Sequence, residues 1–357
     1  MKLLILYSEV AAYTLACLAE FTAQYPEVEV FLVHWKVNKE APFNLSFAKN
    51  IKVYNRSDFE NEGLLALSDK LKPDAILCSG WIDKGYLAVC KSVQKKIPVI
   101  LCMDNRWSGT LKQHLAKLVS PFKLQRIFNY AWVPGIEQKY YALKLGFSEK
   151  NVKTGFYSAD TLNFSKHYNS IATQKKIKYP HRFVYVGRYY EFKGVNELWD
   201  AFRKFKEETE NDWELWCVGT GDVLPANHIF IKHFGFIQPE NLPEIIDNTG
   251  VFILPSRKEP WGVVVHEFAA AGFPLLLSEK VGASQMFLKE KMNGFSFKAN
   301  NVESIINAMK SIVALSDRQL YEMGQLSNKM AESISTKTWA HTLFDLINHP
   351  TSRNYIQ

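Results

Sequence analysis

Short apolar runs alternate with stretches of helical spacing along nearly all of this 357-residue chain. The runs KLLILY, VEVFLVHW, DAILC and PVILCM occupy residues 2–7, 28–35, 74–78 and 98–103, and RFVYVG, WELWCVG, VFILP and PLLLS occupy 182–187, 213–219, 251–255 and 274–278. Runs this apolar do not suit a sheet with one wet face. They suit parallel strands covered by helices on both sides. Helical spacing fills the intervals at 11–24, 83–95, 193–208, 239–248, 262–271 and 302–315, with a last pattern at 338–347. The alternation breaks once, at the polar, basic stretch SKHYNSIATQKKIKYP, and then restarts. The predicted fold is therefore α/β with two doubly wound domains. Residues 1–165 form the first domain, 166–180 a linker and 181–335 the second domain, with a helix at 336–349 returning to pack on the first.

An apolar content of 47% with 22% charged residues is that of a globular chain, and no run approaches the length of a membrane span. The N-terminal MKLLILYSEV reads as a first buried strand, its apolar run being too short for a signal peptide. The five cysteines lack CxxC spacing and mostly sit in apolar surroundings, which predicts reduced core residues and a cytoplasmic location.

The net charge of +7 is concentrated. Between Asn105 and Ile136 there are five cations (Arg106, Lys112, Lys117, Lys123 and Arg126) and no carboxylate, with aromatic residues interleaved. Residues 105–132 suit an anionic membrane surface; no nucleic-acid motif accompanies the charge, and nucleic acid is not an expected partner. The plainer reading is a solvated helix whose Leu111, Leu115, Leu118 and Val119 face the core.

Four charged residues carry the chemistry. Arg188 and Lys193 follow the strand RFVYVG in GRYYEFKG, at the carboxyl edge where open parallel sheets bind ligands. A guanidinium fork plus an ammonium suits a diphosphate. The alternative is an Arg188–Glu191 pair with Lys193 merely starting a helix. Glu259 precedes Pro260, which keeps it out of helical geometry and in the loop after VFILPS. The following helix starts near Trp261 or Gly262, so its first N–H groups form an anion site on that edge. Glu267 lies one turn further in and leans back towards the same edge. It shares a face with Val264, Phe268 and Ala271, and a buried carboxylate needs donors such as a ribose diol supplies. The alternatives are a surface pair of Glu259 with Arg257 or Lys258, and a Glu267 satisfied by backbone or Arg188.

Taken in order, GRYYEFKG, WELWCVGTG, FGFIQPENLPEII, VFILPSRKEPWG, HEFAAAGFP and NGFSF resemble the nucleotide-sugar domain of the GT-B fold glycosyltransferases of family 4, a retaining group. The resemblance is close over residues 181–315, GFYSADTLNF is similar to the segment before the crossover, and Trp339 resembles the aromatic of the final helix. It implies two Rossmann-like domains facing a central cleft. It also implies transfer of a sugar from a nucleoside diphosphate sugar to a hydroxyl of a glycan acceptor in cell-surface polysaccharide assembly, while the basic, aromatic segment after Arg106 points to a lipid-linked acceptor at the inner face of the plasma membrane. Arg188 and Lys193 would stabilise the leaving diphosphate, Glu259 would orient the sugar beside the amides of Trp261, Gly262 and Val263, and Glu267 would hold the ribose. Phe236 and Ile237 would contact the base. No metal and no cofactor are implied.

The first domain departs from the pattern. Its first loop, with Ser8, Glu9 and Val10, lacks glycine, and Asp104 stands in CMDNRW where a histidine is common. Ser8, Glu9 and Asp104 are the acceptor-side candidates, Asp104 being equally readable as a turn cap. VGASQ carries Val281 and Gln285 where glycine and glutamate are usual. A nucleotide-sugar epimerase or hydrolase, and a binding subunit without catalysis, are the other functions this pattern accommodates.

Overall fold

The computed structural model describes residues 1–37, 42–93 and 96–348. Of these, residues 1–37, 45–93, 96–158 and 336–348 form one compact unit, and residues 42–44 with 159–335 form another.

The first unit is built on seven parallel strands, β1 (Lys2–Tyr7), β2 (Glu29–His34), β3 (Ile51–Asn55), β4 (Ala75–Ser79), β5 (Val99–Cys102), β6 (Tyr130–Trp132) and β7 (Val152–Lys153). Their order is 3-2-1-4-5-6-7, so the winding reverses between β1 and β4. Side chains alternate across the pleat. Leu3, Ile5 and Tyr7 enter one core, while Leu4 and Leu6 enter the core on the opposite face. The last helix, Thr336–Asn348, belongs to this unit and brings Trp339, Leu343, Leu346 and Ile347 into the first of those cores. Trp339 lies tilted against Trp132 at 4.9 Å, its indole N–H donates to the Phe156 carbonyl at 2.6 Å, and Phe344 stacks on Tyr25 at 3.8 Å.

The second unit has six parallel strands, β8 (Arg182–Val186), β9 (Glu214–Val218), β10 (Ile231–His233), β11 (Val251–Leu254), β12 (Leu275–Ser278) and β13 (Gly294–Phe297). The order 10-9-8-11-12-13 places its reversal between β8 and β11.

All eight strands expected from the apolar runs are present. The five additional ones are short or half-polar: β3, β7, β10 and β13 are sheet edges, and β6 has three residues beside an edge. An edge strand has only one neighbour to bury it, so its sequence needs no continuous apolar run.

The stretch 166–180 is not an irregular linker. Residues Thr161–Ile177 are a 17-residue helix of the second unit, capped by the Asp160 carboxylate accepting from the Asn163 amide at 3.2 Å. Its buried face is Tyr168, Ile171 and Lys175, packed towards the helices Val263–Ala270 and Asp317–Ala331. Two apolar residues and a lysine stem make a stripe too narrow to register as periodicity.

The helix Leu111–Val119 likewise departs from the plainer expectation. Its leucines face solvent, not the core. The five cysteines are all free and buried, as their apolar surroundings predicted. Among the described residues no helix is long and apolar enough to cross a membrane.

Candidate functional site

The second sheet's reversal point lies between β8 and β11, and the loops leaving those two strands carry Arg188 and Glu259. At such a point neighbouring loops turn in opposite directions and leave a crevice at the carboxyl edge. The two loops are bonded to each other, with the Arg257 amide donating to the Phe192 carbonyl at 2.8 Å. Gly194, at φ +71°, lies where a Cβ would collide with the Pro255 carbonyl. A third loop locks the first. The amide of Gly187 donates to Val218 at 3.0 Å, that of Tyr189 to Thr220 at 2.8 Å, and that of Val223 to Tyr189 at 2.9 Å. The Tyr185 hydroxyl donates to the Arg188 carbonyl at 2.8 Å, so the backbone on either side of the guanidinium is fixed.

Lys193 and Glu259 are in direct contact, Nζ on Oε2, with both side chains largely withdrawn from water. The Ser256 hydroxyl donates to the same carboxylate oxygen at 3.3 Å. Glu259 is therefore not a surface partner of Arg257, whose guanidinium instead binds Glu197 and Glu191. An ammonium has three donors, so Lys193 can hold Glu259 and a phosphate oxygen together.

Behind Glu259, the helix Val263–Ala270 opens on Gly262 at φ +95°, and its first N–H groups have no carbonyl partners within the helix. Trp261 is buried, and its indole N–H has no hydrogen-bond partner among the described residues. An orphaned buried donor is uncommon in a finished core and marks this corner as open to a ligand acceptor.

Glu267 is on the same helix. Among the described residues its carboxylate makes no hydrogen bond or ion pair. Burial, reinforced by the carboxylate of Asp160, pushes its pKa up to about 7. A half-buried carboxylate with free acceptor lone pairs is suited to take two hydroxyl donors. His266, one residue earlier, serves structure instead, accepting from the Ala159 amide at 3.0 Å with its other ring nitrogen 2.9 Å from the Ala331 carbonyl.

Phe236 and Ile237 follow β10 and are half-buried. Phe236 meets Phe43 edge-on at 5.4 Å, and Gln238 clasps the same segment, donating to the Pro42 carbonyl at 2.8 Å and accepting from the Asn44 amide at 3.3 Å. Nothing in the sequence pointed to this pairing across nearly 200 positions.

The acceptor-side candidates lie in the first unit. Ser8 follows β1 and bonds Ser79, the last residue of β4, through the two hydroxyls at 2.9 Å, so it marks that sheet's own reversal point. Glu9 is exposed beside it. Asp104, after β5, accepts from the Tyr157 hydroxyl at 3.4 Å, and Tyr157 packs edge-on against Tyr13 at 5.6 Å. Burial, and then the Asp104 carboxylate, drives the Tyr157 phenol pKa well above its usual value, so it remains a donor.

Residues 169–332 match the family model described as glycosyl transferases group 1. An uncharacterized glycosyltransferase of Methanocaldococcus jannaschii is 29% identical over 131 residues, covering 34% of this chain and 33% of that protein. A glycogen synthase of Mycobacterium tuberculosis is 27% identical over 146 residues, covering 38% of this chain and 34% of its own. The matches thus span about a third of the length of these curated relatives. Among solved structures, a protein of Anabaena in complex with UDP and glucose aligns over 97% of this chain and 98% of its own, with a TM-score of 0.69 at 13% identity. A sucrose-phosphate synthase of Thermosynechococcus elongatus aligns over 97% of both chains, with a TM-score of 0.70 at 16% identity. The architecture these chains share is the GT-B fold.

Proposed function

We propose that this chain, whose residues 169–332 match the glycosyl transferases group 1 model, transfers a sugar with retention from a nucleoside diphosphate sugar to a hydroxyl acceptor. The observation that carries this reading is the set of polar groups at the β8/β11 reversal point. There Lys193, on the loop of Arg188, pairs with Glu259 on the loop after β11, and the Trp261 N–H and Glu267 carboxylate that follow on that loop and helix have no hydrogen-bond partner among the described residues. Structural neighbours solved with UDP or UDP-glucose support a nucleotide-sugar donor.

In this reading the diphosphate lies against Arg188 and Lys193, which are positioned before the reaction for the charge that develops on it. Their two positive charges supply the neutralisation, and no metal is invoked. Glu267 accepts the ribose hydroxyls, and Glu259 with the amides of Trp261 to Val263 orients the transferred sugar. Phe236 and Ile237 flank the base. The bond from the anomeric carbon to the phosphate oxygen breaks, its electron pair leaving with the diphosphate. The acceptor oxygen attacks on the same face, and its proton passes to the departing phosphate oxygen. Ser8, Glu9 and Asp104 are the acceptor-side residues, and the acceptor is a glycan or lipid-linked hydroxyl of cell-surface polysaccharide assembly, reached from the cytoplasm.

A thermal-shift panel of UDP-, GDP- and ADP-sugars tests the donor assignment. At about 100 times its dissociation constant the right nucleotide stabilises the fold by about 2.7 kcal/mol, and Arg188→Ala should abolish that shift. No shift with any nucleotide would refute the reading. Release of nucleoside diphosphate at full rate without acceptor would replace transfer by hydrolysis.

A further inference from the structure

The helix Leu111–Val119 has no buried residue, and it is turned inside out. Leu111, Leu115 and Leu118 recur at i, i+4 and i+7 on one face and are 84%, 62% and 69% exposed, with Phe122 just beyond the helix at 67%. The opposite face, which meets the protein, carries Gln113 and Ala116. Gln113 donates to the Arg106 carbonyl at 2.7 Å and accepts from the Ser108 amide at 2.8 Å, while Ala116 packs against the core of the first unit. The small and polar residues do the anchoring, and the leucines are presented outwards.

Charge brackets this apolar band. Lys112, Lys117, Lys123 and Arg126 are exposed around it, and Arg126 lies over the Phe122 ring at 5.8 Å. Arg106, the remaining cation of the segment, binds Glu137 at 3.1 Å. From residue 105 to 136 there is no carboxylate to offset the other four.

We propose that this helix docks the protein on an anionic phospholipid bilayer, with Leu111, Leu115, Leu118 and Phe122 entering the acyl boundary and Lys112, Lys117, Lys123 and Arg126 resting at the phosphates. The charge pattern selects the occupant. A second copy of this face would bring the same four cations against themselves, whereas an anionic lipid surface accepts both the apolar band and its rim. Lysine and arginine stems reach outwards from such a band and keep their charges at the headgroups. The inference stands on the first unit alone and does not depend on the donor reading.

Vesicle sedimentation with phosphatidylglycerol-rich and pure phosphatidylcholine bilayers tests it, comparing the full chain with Leu111→Ser/Leu115→Ser/Leu118→Ser and with Lys112→Gln/Lys117→Gln/Lys123→Gln/Arg126→Gln. These side chains are exposed, so both variants should keep the parent's melting temperature. The parent should sediment with the anionic vesicles and stay in solution with the neutral ones, less of it sedimenting as salt rises. The charge variant should lose binding on the order of a thousandfold, and the leucine variant should be released too. Failure of the parent to bind anionic vesicles, equal binding to neutral ones, or undiminished binding by the leucine variant would overturn the proposal. So would a parent dimer in light scattering that the leucine substitutions convert to monomer, since a second copy would then cover the helix.

Discussion

Glu267 holds its proton more tightly in the folded chain than out of it. Its pKa rises from 4.5 to about 7, so the stability linked to that proton is complete below pH 4.5 and is lost as pH rises through 7. Glu267→Gln should flatten this loss, seen as a melting temperature that falls less than the parent's between pH 5 and pH 8, read by calorimetry. If the ionised carboxylate receives the ribose diol, donor affinity in the parent should increase over the same interval and that increase should vanish in Glu267→Gln. Arg188→Ala should reduce kcat/KM on the order of a hundredfold to a thousandfold with little change in melting temperature, the usual consequence of losing one preplaced charge in the transition state. Much of this corner was legible. The proline after Glu259 fixed that residue in a loop, and the apolar run ending at Gly187, whose strand closes at Val186, put Arg188 at the carboxyl edge. Ser256 beside Glu259, the orphaned indole N–H of Trp261 and the Tyr157 partner of Asp104 were not. Each depends on which side chains meet in space, and in the case of Asp104 the two are 53 positions apart.

At the scale of elements, the helix Thr161–Ile177 carries an internal cost. Lys175 is buried with its ammonium over the Phe273 ring at 3.7 Å and no hydrogen-bond partner among the described residues, and burial pulls its pKa down to about 7. Below pH 7 the folded state must keep a charge in an apolar site, and this penalty fades as pH rises from 7 towards the amine's ordinary 10.5. Lys175→Met should therefore stabilise the chain by on the order of 2 kcal/mol at pH 6.5, with the gap in melting temperature narrowing towards pH 9.5. The lysine also explains why the sequence suggests a linker here: the buried stripe includes a charged residue that periodicity counts as polar. The missed strands have the converse cause. Residues of β3 and β10 alternate with lysine because an edge is wet, and β7 has two residues, too few for any pattern. In Leu111–Val119 the spacing correctly announced a helix, but spacing cannot say which way a face points.

Across the whole molecule, the chain contributes residues 42–44 to the second unit, leaves the first after residue 158 until the second is built, and returns at Thr336. Trp339→Ala should cost about 3–5 kcal/mol, the usual penalty for emptying a buried tryptophan site. With two units unfolding separately in calorimetry, the transition of the first should move down while the nucleotide-dependent shift of the second remains. Movement of both together would show that they unfold as one. The returning helix also fixes an order of events. The ribosome delivers residues in sequence, and the second sheet is complete in sequence before Trp339, Leu343, Leu346 and Ile347 have been made. The first unit's sheet thus waits, with one apolar face unsealed, while the whole second sheet is synthesised, and for that interval the face is open to chaperones and proteases.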